Sequence, residues 1–238
     1  MSKLGVVRHI ATYPVKSMRG EERSSVSIGV NGIPGDRMYA FVKAGSSSYF
    51  PWLTARDWPG LLHHQPVTQE VDGRPRLFVR LVSGDVLPVT SDEMLSLVER
   101  EAAQPVRLHV DHRGNHDSAH LSLITTATLK ALAEAGGVEP DHRRFRMNLV
   151  IESAGPPFVE REWVGRTLSI GDARLVITDQ DKRCVMITMN PESAVSSPEV
   201  LKAAADLNDA CAGVYASVAV AGTISVGDEV SVAASQRR

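Results

Sequence analysis

One cysteine, Cys184, stands in the setting that best suits chemistry. It directly follows two cations, Lys182-Arg183, and precedes the apolar, β-prone segment Val185–Thr188. The two cations favour the thiolate over the thiol, and a thiolate is both a nucleophile and a soft metal ligand. The second cysteine, Cys211, lies among small residues that offer no such bias. The alternative for Cys184 is a buried strand cysteine that merely follows a charged loop.

Two carboxylates stand just before this cysteine. Asp179 and Asp181 are candidates for contact with a substrate or with solvent near the thiol, and we take Asp179 as the catalytic candidate beside Cys184. A solvated loop is the alternative. Four histidines, at positions 109, 112, 116 and 120, have spacings compatible with zinc only if their segment folds suitably. That segment is typical of a polar loop, so we predict no zinc site there.

Several cations also suit the binding of an anion. Lys16 and Ser17 follow Pro14 at the end of a predicted strand, where an ammonium and a hydroxyl suit phosphate, although a solvated turn fits the same residues. Arg37 precedes an apolar strand, and its planar fork can grip an anion or pair with an acidic neighbour. Arg56 resembles it, but neighbouring acidic residues make a structural ion pair equally plausible.

A further pair is predicted to act together. The segment Met147–Glu152 is predicted to be a strand, and Arg146 and Asn148 are predicted to alternate on it and point to one face. A guanidinium and an amide on one face can hold an extended anion. Thr125 precedes a predicted helix, where it can either cap the helix or help to present free amides to an anion.

Composition sets limits on the class of protein. The 238 residues carry a formal net charge of -2, which argues against general nucleic-acid binding while allowing a local basic pocket. No apolar stretch approaches the roughly 18 to 20 residues of a membrane helix, and the first residues lack a secretory signal. Two distant cysteines do not make a disulfide framework. We therefore predict a cytoplasmic protein with reduced thiols and no membrane partner.

The elements that position these residues are mostly strands. Many short strands with frequent turns predict an antiparallel barrel or sandwich, interrupted by helices over Asp92–Ala103, Thr126–Ala135 and Pro198–Asn208. The fold prediction is mainly β with peripheral helices. We predict a small N-terminal β domain over residues 1–90 and a mixed domain over residues 91–238, with the functional cleft between them.

The chain resembles a known family, the MOSC proteins, which are named from the C-terminal domain of molybdenum-cofactor sulfurase. The resemblance extends to members with an N-terminal β-barrel domain, such as the mitochondrial amidoxime-reducing component and bacterial reductases of N-hydroxylated compounds. The fragments that carry it are weak alone but specific in order and spacing. They are Tyr13-Pro14-Val15-Lys16-Ser17, Gly35-Asp36-Arg37, Thr54-Ala55-Arg56, Ser122-Leu123-Ile124-Thr125, Arg144-Phe145-Arg146-x-Asn148, Trp163-x-Gly165, Lys182-Arg183-Cys184 and Gly222-Thr223-Ile224-x-Val226-Gly227-Asp228.

The resemblance implies an N-terminal β-barrel domain, a MOSC β-barrel-like domain and a molybdenum–pterin cofactor. It implies that Cys184 ligates the molybdenum. The residues expected to hold the cofactor are Lys16, Ser17, Arg37, Arg56, Thr125, Arg146, Asn148 and Arg183.

The implied activity is reduction of small N-oxygenated substrates. Older descriptions of the family instead suggest a carrier of sulfur or of the cofactor, without turnover of its own. The sequence has no cysteine cluster for an iron–sulfur centre, which some bacterial relatives carry. The electrons of a reductase are therefore expected from a separate iron–sulfur, flavin or haem protein.

Overall fold

The computed structural model describes residues 3–233, and strands dominate them. The three α-helices in this range are α1 (Asp92–Ala102), α2 (Thr126–Ala135) and α3 (Glu199–Asn208). The strands in this range are β1 (Lys3–Thr12), β2 (Glu21–Arg23), β3 (Ser25–Ile28), β4 (Tyr39–Lys43), β5 (Gln65–Val71), β6 (Arg74–Arg80), β7 (Val86–Pro88), β8 (Val106–Val110), β9 (Leu121–Thr125), β10 (Leu149–Glu152), β11 (Thr167–Ile170), β12 (Ala173–Lys182), β13 (Cys211–Val220), β14 (Gly222–Ser225) and β15 (Glu229–Val232). The prediction of a mainly β fold with peripheral helices is confirmed.

Seven of the strands close into a barrel. Their order is β10-β9-β13-β12-β11-β15-β1, and β1 pairs with β10 to complete the ring. An odd number of strands cannot alternate in direction all the way round, and β9 and β10 form the one parallel pair of the ring. Apolar residues at every second position fill the interior, as Leu175 and Ile177 do on β12. Closure leaves no free edge in the ring.

A second, smaller apolar core is built largely from the N-terminal part of the chain. The pair β4–β8 and the three-stranded sheet β5-β6-β7 surround it together with α1, and Phe41, Leu61, Val79 and Met94 are buried there. Helix α1 begins after Ser91, whose hydroxyl oxygen accepts a hydrogen bond from the amide of Met94 at 3.2 Å. Its apolar face therefore meets the sheets from the first turn onward.

Helices α2 and α3 pack on the outside of the barrel. Leu132 of α2 and Val200 of α3 are fully buried in a third cluster that also takes in Phe145 and Ile187. This cluster supports the chain segments on either side of Cys184. No helix among residues 3–233 is both long enough and apolar enough to cross a membrane.

The two parts of the chain are joined through shared sheets. Strand β1, at the start of the sequence, pairs with β10 and β15 of the barrel, while β8 pairs back with β4. Strands from both sides of residue 90 therefore lie in common sheets. The division into residues 1–90 and 91–238 stays a prediction, and residues 234–238 lie outside the described range.

Two predicted strands differ from the structure. The segment Val185–Thr188 forms a single 3-10 turn instead of a strand, because the amide of Ile187 donates to the carbonyl of Cys184 at 3.2 Å and the Ile187 side chain is buried in the helical cluster. The strand predicted from Met147 begins only at Leu149. Arg146, with φ of 54°, ends the preceding 3-10 turn in the left-handed region and turns the chain before the ladder begins.

Candidate active site

A cavity of about 310 Å³ opens where the first loops of the chain meet the end of β12. Eight of the ten residues predicted for the site line this cavity, and they come from positions far apart in the sequence. These eight are Lys16, Ser17, Arg37, Arg56, Arg146, Asn148, Arg183 and Cys184. The other two, Asp179 and Thr125, do not line it. The cavity is the candidate active site.

Lys16 brings a buried ammonium to the cavity. Only 7% of the residue is exposed, and its Nζ donates to the carbonyl oxygen of Asn115 at 2.7 Å and to Asp117 Oδ1 at 2.6 Å. Burial lowers the pKa of Lys16, an effect that Asp117 opposes. Ser17 follows with φ of 66°, in the left-handed region, and also lines the cavity. The predicted pairing of cation and hydroxyl is thus brought to one wall.

Two guanidinium groups lie against one buried aromatic ring. The Cζ atoms of Arg37 and Arg146 lie 4.6 Å and 4.4 Å from the ring centroid of Tyr13, and Arg37 Nη2 donates to the carbonyl of Arg146 at 2.7 Å. Burial raises the pKa of Tyr13 to about 12, so the ring stays neutral. The Tyr13 ring therefore contacts two guanidinium groups, although its motif gave no sign of that role.

Asp36 connects Tyr13, Arg37 and Asn148. It is 2% exposed, forms an ion pair with Arg37, and accepts hydrogen bonds from the amide of Tyr13 at 2.6 Å and from Asn148 Nδ2 at 3.0 Å. Burial is the largest influence on the pKa of Arg37 and lowers it, but Asp36 and the neighbouring phenols of Tyr13 and Tyr215 together raise that pKa above its ordinary value. Arg37 is therefore a firmly charged group.

The prediction that Arg146 and Asn148 share one face of a strand is wrong. Both precede β10, and the left-handed turn at Arg146 separates their directions. The Asn148 amide is fully engaged: Nδ2 also donates to the carbonyl of Ala11 at 3.2 Å, and Oδ1 accepts from the amide and hydroxyl of Ser122, each at 3.2 Å. Asn148 thus ties the cavity wall to the barrel.

Arg146 retains binding capacity. Its Nη1 donates to the carbonyl of Met18 at 2.6 Å, but the buried Nη2 has no hydrogen-bond partner among the described residues. Burial, together with the nearby charge of Arg37, lowers the pKa of Arg146 to about 10. An anion placed beside this group would relieve both the desolvation and the repulsion.

Cys184 lies exposed at the cavity, at the start of the 3-10 turn that follows β12. The preceding Arg183 is turned inward, where it pairs with Asp181 and donates to the carbonyl of Phe145 at 2.6 Å. Its Nε is a second buried guanidinium nitrogen without a partner in residues 3–233. The thiol and a cation with spare donor capacity therefore line the same cavity.

Asp179, the carboxylate chosen from the sequence as the catalytic candidate, does not lie at the cavity. Asp179 is exposed on β12 and does not line the cavity, whereas Asp181 is 3% exposed and does. Register irregularities on both sides of Asp179 break the strict alternation of the strand. Burial raises the pKa of Asp181, an effect that Arg183 opposes. The carboxylate near Cys184 is therefore Asp181.

Thr125 has a structural position. It is fully buried and caps α2, where its hydroxyl oxygen accepts from the amide of Thr128 at 3.2 Å and its own proton is directed to Glu160 Oε2 at 3.0 Å. Thr125 does not line the cavity. Of the two roles predicted for this residue, the helix cap is present in the structure, and a part in binding an anion stays a prediction.

Arg56 stands exposed at the rim. Its guanidinium lies 4.8 Å from the ring centroid of Phe50, and its Nε donates to Thr54 Oγ1 at 3.3 Å. The acidic neighbour Asp57 pairs instead with Lys43 at 2.5 Å. The structural ion pair considered for Arg56 with Asp57 is therefore absent from the described residues, and its charge is free to face a ligand.

The cavity also contains residues that the sequence did not single out for it. Tyr215 of β13 lines it, and burial raises the pKa of its phenol, with the charge of Asp181 adding to the effect. His116 lines it as well, and its ring meets that of His120 edge-on at 5.1 Å. No local pattern marked Tyr215, and the histidine spacing that marked His116 suggested zinc and not this cavity. Both residues reach the cavity only through the closure of the barrel and the following loop.

His116 should make the protein less stable in acid. Burial, and then the charge of Arg37, lowers its pKa to about 4, while the unfolded chain has the ordinary value of 6.5. The unfolded state therefore binds more protons between these pH values, and the stability that is present above pH 6.5 falls as the pH falls toward 4. We expect the fall in the free energy of unfolding across this pH range to be smaller in His116→Gln by on the order of 2 to 3 kcal/mol.

Urea unfolding of both chains at several pH values measures this difference. His9 and His64, whose pKa values are also lowered by burial, contribute in the same direction and remain in the variant. Parallel pH profiles for the two chains would contradict the assignment to His116.

The donors of the cavity suit an anionic ligand that carries a soft metal. Six cationic side chains and two carboxylates line it, in a chain whose formal net charge is -2. The two unpartnered guanidinium nitrogens of Arg146 and Arg183 offer charge-assisted hydrogen bonds to phosphate or carbonyl oxygens. Cys184 offers the soft ligand. The residues present therefore fit a molybdenum–pterin group.

Comparison with solved structures finds the same fold in the YuaD protein from Bacillus subtilis, at 11% identity, with a TM-score of 0.51 over 95% of this chain and 93% of that chain. YiiM from Geobacillus stearothermophilus matches at 15% identity over 48% of this chain and 54% of its own, with a TM-score of 0.38. YiiM from Escherichia coli matches at 13% over 50% and 56%, with a TM-score of 0.37. No protein with a curated description matches the chain.

Two family models match the sequence. The MOSC N-terminal beta barrel domain matches residues 4–120, and the MOSC domain matches residues 109–231. Together they include the buried residues of all three apolar clusters and every residue that lines the cavity. The resemblance found in the sequence motifs is confirmed: the chain belongs to the MOSC family, whose domain is associated with the molybdenum cofactor.

Proposed function

We propose that this protein binds a molybdenum–pterin cofactor in the cavity and acts as an oxidoreductase that reduces small N-oxygenated substrates. The observation that carries the proposal is the position of Cys184. Its exposed thiol lines the same cavity as six cationic side chains, which come from both family domains. A soft metal ligand beside an anion-binding wall is the combination that such a cofactor needs.

The residues would divide the work between metal and pterin. Cys184 would ligate the molybdenum, and Lys16, Arg37 and Arg146 would hold the anionic and carbonyl oxygens of the pterin. When bound, the group would supply the oxygen-atom and electron chemistry. Asp36 would keep the Arg37 guanidinium in position, since its carboxylate bonds to that group directly.

The source of electrons is proposed to be a separate protein of the iron–sulfur, flavin or haem type. The sequence has two cysteines, one of which is assigned to the metal, so it cannot supply the four cysteine ligands of a common iron–sulfur cluster. A cytoplasmic location is proposed on the same basis as before, since both cysteines are free thiols in the described residues.

The exposure of Cys184 favours a second candidate, a carrier of sulfur or of the cofactor. An exposed cysteine can take sulfane sulfur from the persulfide of a donor protein, which is left as a thiol, and can pass that sulfur to an acceptor thiol, because both partners can reach it. The carrier and the reductase differ in turnover, so an activity assay separates them.

The cationic side chains that line the cavity give a first prediction. Arg37→Ala, Arg146→Ala and Lys16→Ala should each weaken retention of the pterin by roughly ten- to hundredfold, since each removes a charge-assisted hydrogen bond of about 1.5 to 3 kcal/mol. Pterin content after gel filtration and dilution measures the loss. Arg174→Ala, at an exposed position outside the cavity, is the matched control. Unchanged pterin retention in all three variants would mean that the replaced side chains do not contact the pterin and are surface charges.

The electron route gives a second prediction. The molybdenum-loaded protein should reduce benzamidoxime with reduced viologen, or with an added reductase partner, and should not do so with a nicotinamide cofactor alone. The reason is that the sequence has no dinucleotide-binding glycine motif that opens a helix after a strand. Turnover with the nicotinamide alone would reveal an internal electron route. No turnover with viologen at full loading would favour the carrier.

A further inference from the structure

A second group of potential ligands lies on the outside of the barrel. His9 of β1, Glu22 of β2 and His142 of the 3-10 turn His142–Phe145 each offer one ligand atom, and these atoms all lie within 4.8 Å of one another. None of the three residues lines the candidate active site. They are also distinct from the four histidines whose spacing first suggested zinc.

The sheet itself places two of the three side chains together. Ala11 of β1 is the register partner of Glu22, and His9 lies two residues before Ala11. Residues two apart on a strand share a face, so His9 is the diagonal neighbour of Glu22. His9 Nδ1 lies 3.8 Å from Glu22 Oε2. This pairing is therefore fixed by the β1–β2 ladder.

The third side chain arrives from a distant part of the chain. His142 Nε2 lies 2.7 Å from Glu22 Oε1, and the imidazole rings of His9 and His142 are stacked with centroids 4.4 Å apart. The side chains of His9 and Glu22 are 42% and 53% exposed, so each can rotate by the small amount needed to converge on one ion. Solvent can supply the remaining ligand.

The chemistry of the three donors selects a particular kind of cation. We propose that His9, Glu22 and His142 form a binding site for a divalent transition metal ion of the zinc type, with water in the fourth position. Two imidazole nitrogens and one carboxylate oxygen are a known donor set for zinc, with metal–ligand distances of about 2.0 to 2.2 Å. Magnesium and calcium prefer all-oxygen sites, so this set disfavours them.

Two arginines lie close enough to oppose a cation. Arg8 precedes His9 on β1, and Arg143 follows His142. Arg143 is paired with Asp141 at 2.7 Å and also with Glu192, so much of its charge is compensated. The ion would join β1 and β2 to the turn that ends at Arg146, and binding should therefore raise the melting temperature.

The test is a zinc titration of the full chain by calorimetry at neutral pH. Both thiols compete for zinc, so the titration uses the Cys184→Ser, Cys211→Ser chain as its background. We expect one zinc ion per chain and little heat with magnesium. His9→Ala, Glu22→Gln and His142→Ala should each weaken binding by more than about 100-fold, because each removes a direct ligand.

His112→Ala is the matched control, since it removes an exposed histidine outside the group and should leave zinc affinity unchanged. Circular dichroism and the melting temperature without zinc show whether each variant is folded, and Glu22→Gln keeps the shape of the side chain. Zinc should raise the melting temperature of the background chain and not that of the His142→Ala chain. Absence of zinc binding, or equal affinity in all three variants, would overturn the proposal.

Discussion

The Cys184→Ser protein is expected to contain molybdenum only at background level, whereas the unchanged protein should contain close to one atom per chain. Serine keeps the size of the side chain but replaces a soft thiolate by a hydroxyl that is neutral at pH 7 and a poor ligand for a soft site. Protein made in cells that can build the cofactor is analysed for metal by mass spectrometry and for pterin by fluorescence after oxidation.

Cys211→Ser is the matched control for this experiment. Its thiol does not line the cavity, and burial, followed by the charge of Asp181, raises its pKa and favours the neutral form. The Cys211 variant should therefore keep its molybdenum. Equal molybdenum content in the Cys184 variant and the unchanged protein would remove Cys184 as the ligand, and loss in both variants would point to a general folding defect.

Asp36→Ala is expected to lower the free energy of unfolding by about 3 to 5 kcal/mol. The carboxylate is buried, and it pairs with Arg37 while accepting hydrogen bonds from the amide of Tyr13 and from Asn148. Its removal leaves a buried guanidinium without its ion partner and two donors without an acceptor. Urea unfolding at neutral pH measures the difference.

Asp206→Ala provides the comparison, because Asp206 is exposed on α3 and should change stability by no more than about 0.5 kcal/mol. Asp36→Asn separates charge from shape, because it keeps one acceptor oxygen but removes the ion pair. Its loss of unfolding free energy should lie between the losses for Asp206→Ala and Asp36→Ala. A change below about 1 kcal/mol for Asp36→Ala would mean that Arg37 finds another partner, and the role assigned to Asp36 in holding Arg37 and Tyr13 would then be wrong.

The sequence alone was sufficient to identify Cys184 and most of the cationic residues that line the cavity. The contrast between two cysteines is a local property, since charged neighbours stand beside one and small residues beside the other. Arg37, Arg146 and Lys16 were identified by short motifs whose order matched a family. Alternation of apolar residues likewise determined the β-rich fold, because each strand must bury one face.

Which carboxylate faces the cavity was decided only by the tertiary structure. Asp179 and Asp181 are equivalent in a strand of strict period two, and both stand near the cysteine in sequence. Register irregularities in the pairing of β12 with β13 expose Asp179 and bury Asp181. Irregularities of this kind depend on the partner strand, which the local sequence does not contain.

The contacts of Tyr13 and Asn148, and the proximity of His9, Glu22 and His142, also depend on tertiary structure. The local sequence predicts Tyr13 to be a strand residue, and only the folded chain brings the guanidinium groups of Arg37 and Arg146 to its ring. His142 is 120 positions from Glu22, and no spacing rule links them. Side-chain chemistry is thus fixed by the residue types, but the partners of each group depend on chain segments that meet only in the folded protein.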